Sequence, residues 1–120
     1  MDEGLDLVGL QGEVWNVTFT GRGSEPRGRR PAVIVQGDQY NRTPIATTIV
    51  VPISSQLHLA VFPGNVRLLK GEANLKKGSV ANVTQIRVID RSSLESLIGT
   101  ITPARLHEIL SGLAVVFGII

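Results

Sequence analysis

The sequence predicts a mainly β domain closed by a C-terminal helix, a compact barrel-like sheet with the helix packed on it. Three observations carry that expectation. Apolar residues make up 42% of the 120-residue chain and aromatics only 4%, so valine, isoleucine and leucine must build the core. Side chains of that kind, largely β-branched, favour a pleated, half-buried surface. The apolar runs are short and punctuated by Gly, Pro and Asn, and sustained helical spacing occurs only near the end of the chain.

Taken in order, residues 12–19 (GEVWNVTF) alternate and place Trp15, Val17 and Phe19 on one face of a first strand. Residues 20–29, dense in Gly and holding one Pro, read as a loop. Residues 31–36 (PAVIVQ) form a continuous apolar run short enough for a buried strand, and residues 37–44 are polar and turn-like. Residues 46–53 (ATTIVVPI) give a third strand, with Pro52 pointing to an edge or a bulge near its end. A shorter strand spans residues 65–69 with Val66 and Leu68 inward. A turn at residues 75–78 then feeds one long strand over residues 79–89. Asp90 or Ser92 caps a short helix running to Leu97. Thr102-Pro103 opens the final helix, with Thr as cap and Pro in the first turn. Along it Leu106, Ile109, Leu110, Leu113, Val116 and Phe117 form one apolar stripe, wide enough to serve a subunit interface as well as the core. No repeat or linker interrupts the chain, so residues 12–120 read as one domain behind an acidic leader, residues 1–11, that carries Asp2, Glu3 and Asp6.

The composition narrows the chemistry. There are no cysteines, which excludes disulfides and thiolate zinc sites. No apolar run is long enough to span a bilayer, and the acidic leader does not read as a secretory signal, so a cytoplasmic protein is expected. His58 and His107 lack metal-ligand spacing, and no Gly-rich phosphate loop with its lysine is present; no metal or cofactor is expected. His107, mid-helix, reads as structural, and His58 has no identifiable partner for acid–base work.

Charge is more informative in its placement than in its total of +2. Arg22, Arg27, Arg29 and Arg30 crowd into one stretch opposed only by Glu25. Such a cluster suits phosphate, or an ordinary solvated loop. What remains for chemistry is arginine, hydroxyls and amides, a set that suits a phosphodiester. Arginine's planar fork matches phosphate oxygens, and preorganised donors stabilise charge as it develops on phosphorus. RNA supplies its own nucleophile in the 2′-OH. Amide and guanidinium groups on Gln36, Asn41, Arg42, Gln56 and Gln85 suit reading of unstacked base edges, whereas Arg27 and Arg29 suit phosphate steering.

These features fall into an ordered set. Gly12-Glu13-Val14-Trp15, Gly23-Ser24-Glu25, Arg30-Pro31-Ala32-Val33-Ile34-Val35-Gln36, Asn41-Arg42, Val51-Pro52-Ile53-Ser54-Ser55-Gln56 and Gln85-Ile86-Arg87-Val88-Ile89-Asp90 together closely resemble the MazF/PemK family of ribonuclease toxins, over about residues 12–118. The resemblance implies a small SH3-like β-barrel of the CcdB/PemK plasmid-maintenance type and a homodimer. It further implies metal-independent, sequence-specific cleavage of single-stranded RNA or mRNA through a 2′,3′-cyclic phosphate, and a cognate antitoxin. The family's catalytic Arg and hydroxyl fall on Arg30 and Ser54; Ser24 and Glu25 of the neighbouring loop are further candidates for RNA contact, Glu25 alternatively balancing charge within the Arg loop. Ser54 stands where many members have threonine, which keeps the hydroxyl. Gly37 and Thr84 stand where members often carry a polar side chain and a carboxylate, so no cleavage sequence carries over. A guanidinium with a pKa above about 12 is a poor proton acceptor, which makes Arg30 a phosphate clamp and Ser54 a second donor.

Other readings stay open at this stage. The tail Phe117-Gly118-Ile119-Ile120 is similar to that of the gyrase-poison toxins of the same fold, which are not enzymes. A module that binds RNA or antitoxin without cutting is also compatible.

Overall fold

In a computed structural model of the chain, the residues described are 9–120, so most of the acidic leader lies outside them. Residues 10 and 11 join the body: the Leu10 N–H donates to Glu13 Oε1 at 2.9 Å, and the Gln11 N–H to Asp38 Oδ1 at 2.8 Å. Seven strands and two helices follow: β1 (Glu13–Thr20), β2 (Arg27–Ile34), α1 (Asp38–Asn41), β3 (Thr47–Ser54), β4 (Val66–Leu68), β5 (Ser79–Ala81), β6 (Arg87–Asp90), β7 (Ser96–Thr100) and α2 (Pro103–Val116). The strands form an antiparallel half-barrel in the order β4-β5-β3-β2-β1-β7, with β6 also paired to β3.

The runs that looked continuously apolar are strands buried on both sides. From β2 and β3, Val33, Val51 and Ile53 enter a larger core with Val14, Val35, Leu68 and Val83, while Ala32, Ile34 and Val50 enter a smaller one with Val17, Phe19 and Leu94. Alternation in β1 serves the smaller core, as expected from Trp15, Val17 and Phe19. Helix α2 closes the larger core with Ile109 and Leu113. Its start is as predicted, with Thr102 Oγ1 accepting from the Arg105 N–H at 3.2 Å and Pro103 leading the first turn. Beside it, Arg105 donates to both carboxylate oxygens of Glu72, at 2.8 and 2.9 Å, and so holds that carboxyl below its ordinary pKa.

Four expectations are corrected. The arginine loop is shorter than its Gly and Pro content suggests, because β2 begins at Arg27 and pairs with β1 from Thr20↔Arg27 to Val14↔Val33. Pro52 marks neither an edge nor a bulge. It lies mid-strand in β3, where one side of the strand passes from β6, last paired at Val50, to β5, first paired at Ile53. A residue without an N–H fits that gap in the ladder. The long strand over residues 79–89 is two short ones separated by a 3₁₀ turn, Val83–Gln85, whose first N–H is taken by Asn65 Oδ1 at 2.9 Å. No α-helix runs from Asp90 to Leu97: a single 3₁₀ turn, Arg91–Ser93, leads into β7, which pairs with β1. The cap signals there are real but local; pairing with β1 decides the outcome.

A candidate nucleic-acid groove

The β2–β3 ladder runs Ile34↔Val50, Val33↔Val51 and Ala32↔Pro52. That pairing ends two residues short of Arg30 in β2 and Ser54 in β3. Both line a groove of about 570 Å³, together with Gly23, Ser24, Glu25 and Pro26 of the β1–β2 loop, Arg27, Pro52, Gln56, Asn82 and Gln85. Leu59 and Phe62 form an apolar part of the wall. Elements distant in sequence thus converge on one opening, and Glu25 is the only carboxylate lining it among the described residues.

The side chains in it are held in place. Arg30 Nε donates to the Arg27 carbonyl at 2.7 Å, which fixes the guanidinium, while its terminal nitrogens have no hydrogen-bond or ion-pair partner among the described residues. Ser54 Oγ accepts the Gln56 N–H at 3.1 Å. That bond occupies a lone pair and leaves the hydroxyl proton available as a donor. Glu25 Oε1 accepts the Arg22 N–H at 2.8 Å and Arg27 donates to the Gly23 carbonyl at 3.3 Å, so the loop is tied at both ends. Among the described residues no three His, Asp or Glu side chains gather as a metal site would require. His58 and His107 are both exposed and neither lines the groove.

Of the candidates read from the sequence, Ser24, Glu25, Arg27, Arg30, Ser54, Gln56 and Gln85 line this groove, joined by Asn82, Leu59 and Phe62, which the sequence reading did not name. Asn82 carried a recoverable signal: an Asn inside an apolar run marks a break, here held by its contact with Asn65 Nδ2 at 3.2 Å. The remaining candidates lie elsewhere. Arg29 pairs with Glu95 at 2.9 Å and lines a neighbouring cleft. Arg42 is exposed at the end of α1, 3.9 Å from Asp38.

Gln36 and Asn41 are corrected outright, since both are buried. Asn41 Nδ2 donates to the Gln36 carbonyl at 2.7 Å and to Asp38 Oδ1 at 3.0 Å, while its Oδ1 accepts from Gln36 Nε2 at 2.9 Å and from Thr48 Oγ1 at 3.4 Å. With its amide fully used, Asn41 shapes the β2–α1 turn and has nothing left for a base. Asn41→Ala would take the Asn41 donor from the Gln36 carbonyl in the interior and leave Gln36 Nε2 with the Thr47 carbonyl alone, at a cost of about 2 kcal/mol. The expected result is a clear fall in Tm with unchanged RNA cleavage per folded molecule. A selective loss of cleavage at unchanged Tm would return Asn41 to the RNA site.

Comparison with known proteins agrees with this geometry. The family model described as PemK-like, MazF-like toxin of type II toxin–antitoxin system matches residues 10–117. The endoribonuclease MazF6 of Mycobacterium tuberculosis is 38% identical over 91 residues, covering 76% of this chain and 80% of that protein. The endoribonuclease MazF of Staphylococcus saprophyticus is 31% identical over 98 residues, covering 82% and 81%. MazF from Deinococcus radiodurans superposes with a TM-score of 0.76 at 25% identity, covering 92% of this chain and 97% of that one, and has also been solved as a MazE–MazF complex. The half-barrel with its C-terminal helix is therefore the fold of the MazF structures, and the chain belongs to the PemK-like, MazF-like toxins of type II toxin–antitoxin systems.

Proposed function

We propose that the protein is a toxin that acts as a metal-independent, sequence-specific endoribonuclease on single-stranded RNA, working in the cytoplasm as a homodimer and restrained by a cognate antitoxin. The observation that supports this reading is that Arg30 and Ser54 line one groove together with hydroxyls, amides and the Glu25 carboxylate. Arg30 clamps the scissile phosphate with its unpartnered terminal nitrogens. Ser54 donates its free hydroxyl proton to a second phosphate oxygen. The 2′-OH gives up its proton to water as it attacks phosphorus, the P–O5′ bond breaks and the 5′-oxygen of the next nucleotide takes a proton from water as it leaves, and a 2′,3′-cyclic phosphate remains. Ser24, Glu25, Arg27, Gln56, Asn82 and Gln85 hold the bases and phosphates on either side.

The test is digestion of a long single-stranded RNA in excess EDTA, with the new ends mapped. Cuts at a recurring short sequence with cyclic-phosphate and 5′-OH ends are expected. Ser54→Ala should lower kcat by about 100-fold, the scale of losing one transition-state donor, and Ser54→Thr should restore most of it. Intact RNA from a folded protein would leave a toxin that binds without cutting, or one that poisons gyrase.

A further inference from the structure

A second cleft, of about 370 Å³, opens beside the groove. Arg29, Arg30, Lys76 and Lys77 line it, with the polar side chains of Asn16, Asn74, Ser55 and Ser79. Arg30 lines both cavities, so the two meet at the residue that clamps the scissile phosphate. Among the described residues no carboxylate lines the second cleft. Arg29 is already matched by Glu95, whereas Lys76 and Lys77 are exposed and have no ion-pair partner among the described residues.

The turn that carries the two lysines is pinned on every side. Leu75 before them is buried, and Ser79 Oγ after them donates to the Lys77 carbonyl at 2.9 Å. Asn74 Nδ2 donates to the Ile98 carbonyl of β7 at 2.9 Å. Ala73 and Asn74 both adopt left-handed backbone, φ 50° and 62°, the only described non-glycine residues with positive φ. Alanine gains nothing from that conformation, and strain of this kind persists where the surroundings over-determine it. Here Ala73 is pressed against Gly99, where an added Cβ would lie 2.4 Å from the Ala73 carbonyl oxygen. Two ammonium groups without an ion-pair partner among the described residues are thereby presented on a rigid support beside Arg30.

We propose that this cleft is a second phosphate subsite, in which Lys76 and Lys77 hold the RNA backbone flanking the scissile phosphate on one side. The inference rests on the RNA-cleaving reading above and deepens it. An isolated basic cleft would equally suit an acidic peptide; continuity with the groove through Arg30 favours the strand already bound there. A strand cut at Arg30 must leave the groove, and this cleft is a positively charged exit. Each phosphate neutralised on a single strand adds about 0.7 to the slope of log affinity against log salt.

The test uses the full-length protein and oligonucleotides that contain the cleavage sequence, extended on the 5′ side, on the 3′ side, or on neither. Extension on one side is expected to raise kcat/KM. Lys76→Ala/Lys77→Ala should remove about tenfold of that gain and lower the salt slope by about 1.4. Lys70→Glu changes net charge by the same amount away from either cavity, and should keep both the gain and the slope. Binding of an uncleavable 2′-deoxy 12-mer by fluorescence anisotropy gives the same comparison without catalysis, so it reads the subsite even if no RNA is cut. RNA cut with the extension gain intact in the double variant would overturn the subsite and leave the ribonuclease reading standing. Lysine-dependent binding without cutting would overturn the ribonuclease reading and leave the subsite. Loss of antitoxin binding alone in the double variant would assign the cleft to the acidic peptide instead.

Discussion

Arg30→Ala is expected to lower kcat/KM for RNA cleavage by about 100- to 1,000-fold while leaving the fold intact. The size follows from what the guanidinium does in the groove. Its Nε is committed to the Arg27 carbonyl at 2.7 Å, so the terminal nitrogens are aimed without further loss of side-chain freedom. Removing one preorganised donor from an enclosed site typically costs about 3–4 kcal/mol of transition-state stabilisation. Arg30→Lys should recover little, because an ammonium cannot both bond the Arg27 carbonyl and present a planar fork to phosphate. The competing account, a structural ion pair at the start of a strand, has no support among the described residues, where no carboxylate pairs with Arg30. The two accounts separate by experiment. A clamp predicts lost cleavage with Tm shifted by no more than about 2 °C, whereas a structural arginine predicts a falling Tm and cleavage that recovers when corrected for unfolded protein.

How far the sequence reached depends on which forces decided each element. Where side-chain burial decided, the reading succeeded: the alternation of Trp15, Val17 and Phe19, the inward Val66 and Leu68, and the stripe from Leu106 to Leu113 all describe which face meets the core. At the rim of the stripe Leu110 and Phe117 are exposed in the single chain, so core burial does not account for them. Where strand pairing decided, local composition misled. Residues 27–30 carry a glycine and precede a proline, yet they are strand because β1 supplies partners out to Arg27. Gly28 takes φ 82° within that ladder, which shows that the loop signal reports a local twist and not the end of pairing. Residues 96–100 followed good helix caps and became β7 for the same reason. The site was legible through chemistry that clusters in the sequence, the Arg stretch and the Ser-Glu loop. Asn82 and Phe62 escaped because their membership depends on how β5 and the segment before β4 fold back on β3. Gln36 and Asn41 were misread because an amide that reads a base and one that closes a buried turn look identical until burial is known.

Gly112→Ala is expected to destabilise the protein by about 3 kcal/mol, although helix propensity alone predicts the opposite. Alanine in a helix interior is favoured over glycine by about 1 kcal/mol, so a glycine within α2 needs a reason. The reason is Gly64, in the loop before β4. An added Cβ on Gly112 would lie 2.0 Å from the Gly64 carbonyl oxygen and 2.9 Å from its carbonyl carbon. These are backbone atoms, so no rotamer change relieves the overlap. Either the helix lifts away, pulling Ile109 and Leu113 from the larger core, or the loop shifts. Overpacking typically costs about 1–3 kcal/mol, and contact with main chain belongs at the upper end. Gly64 cannot take up the strain by substitution, because its φ of 87° disfavours any side chain. The loop also follows Phe62, which lines the groove wall, so displacement there should carry through to catalysis. A thermal melt of Gly112→Ala is therefore expected to fall by roughly 10 °C, with reduced kcat/KM in the protein that remains folded. An unchanged or raised Tm would mean that α2 and the Gly64 loop part readily. The groove wall would then be a mobile element, not a fixed one.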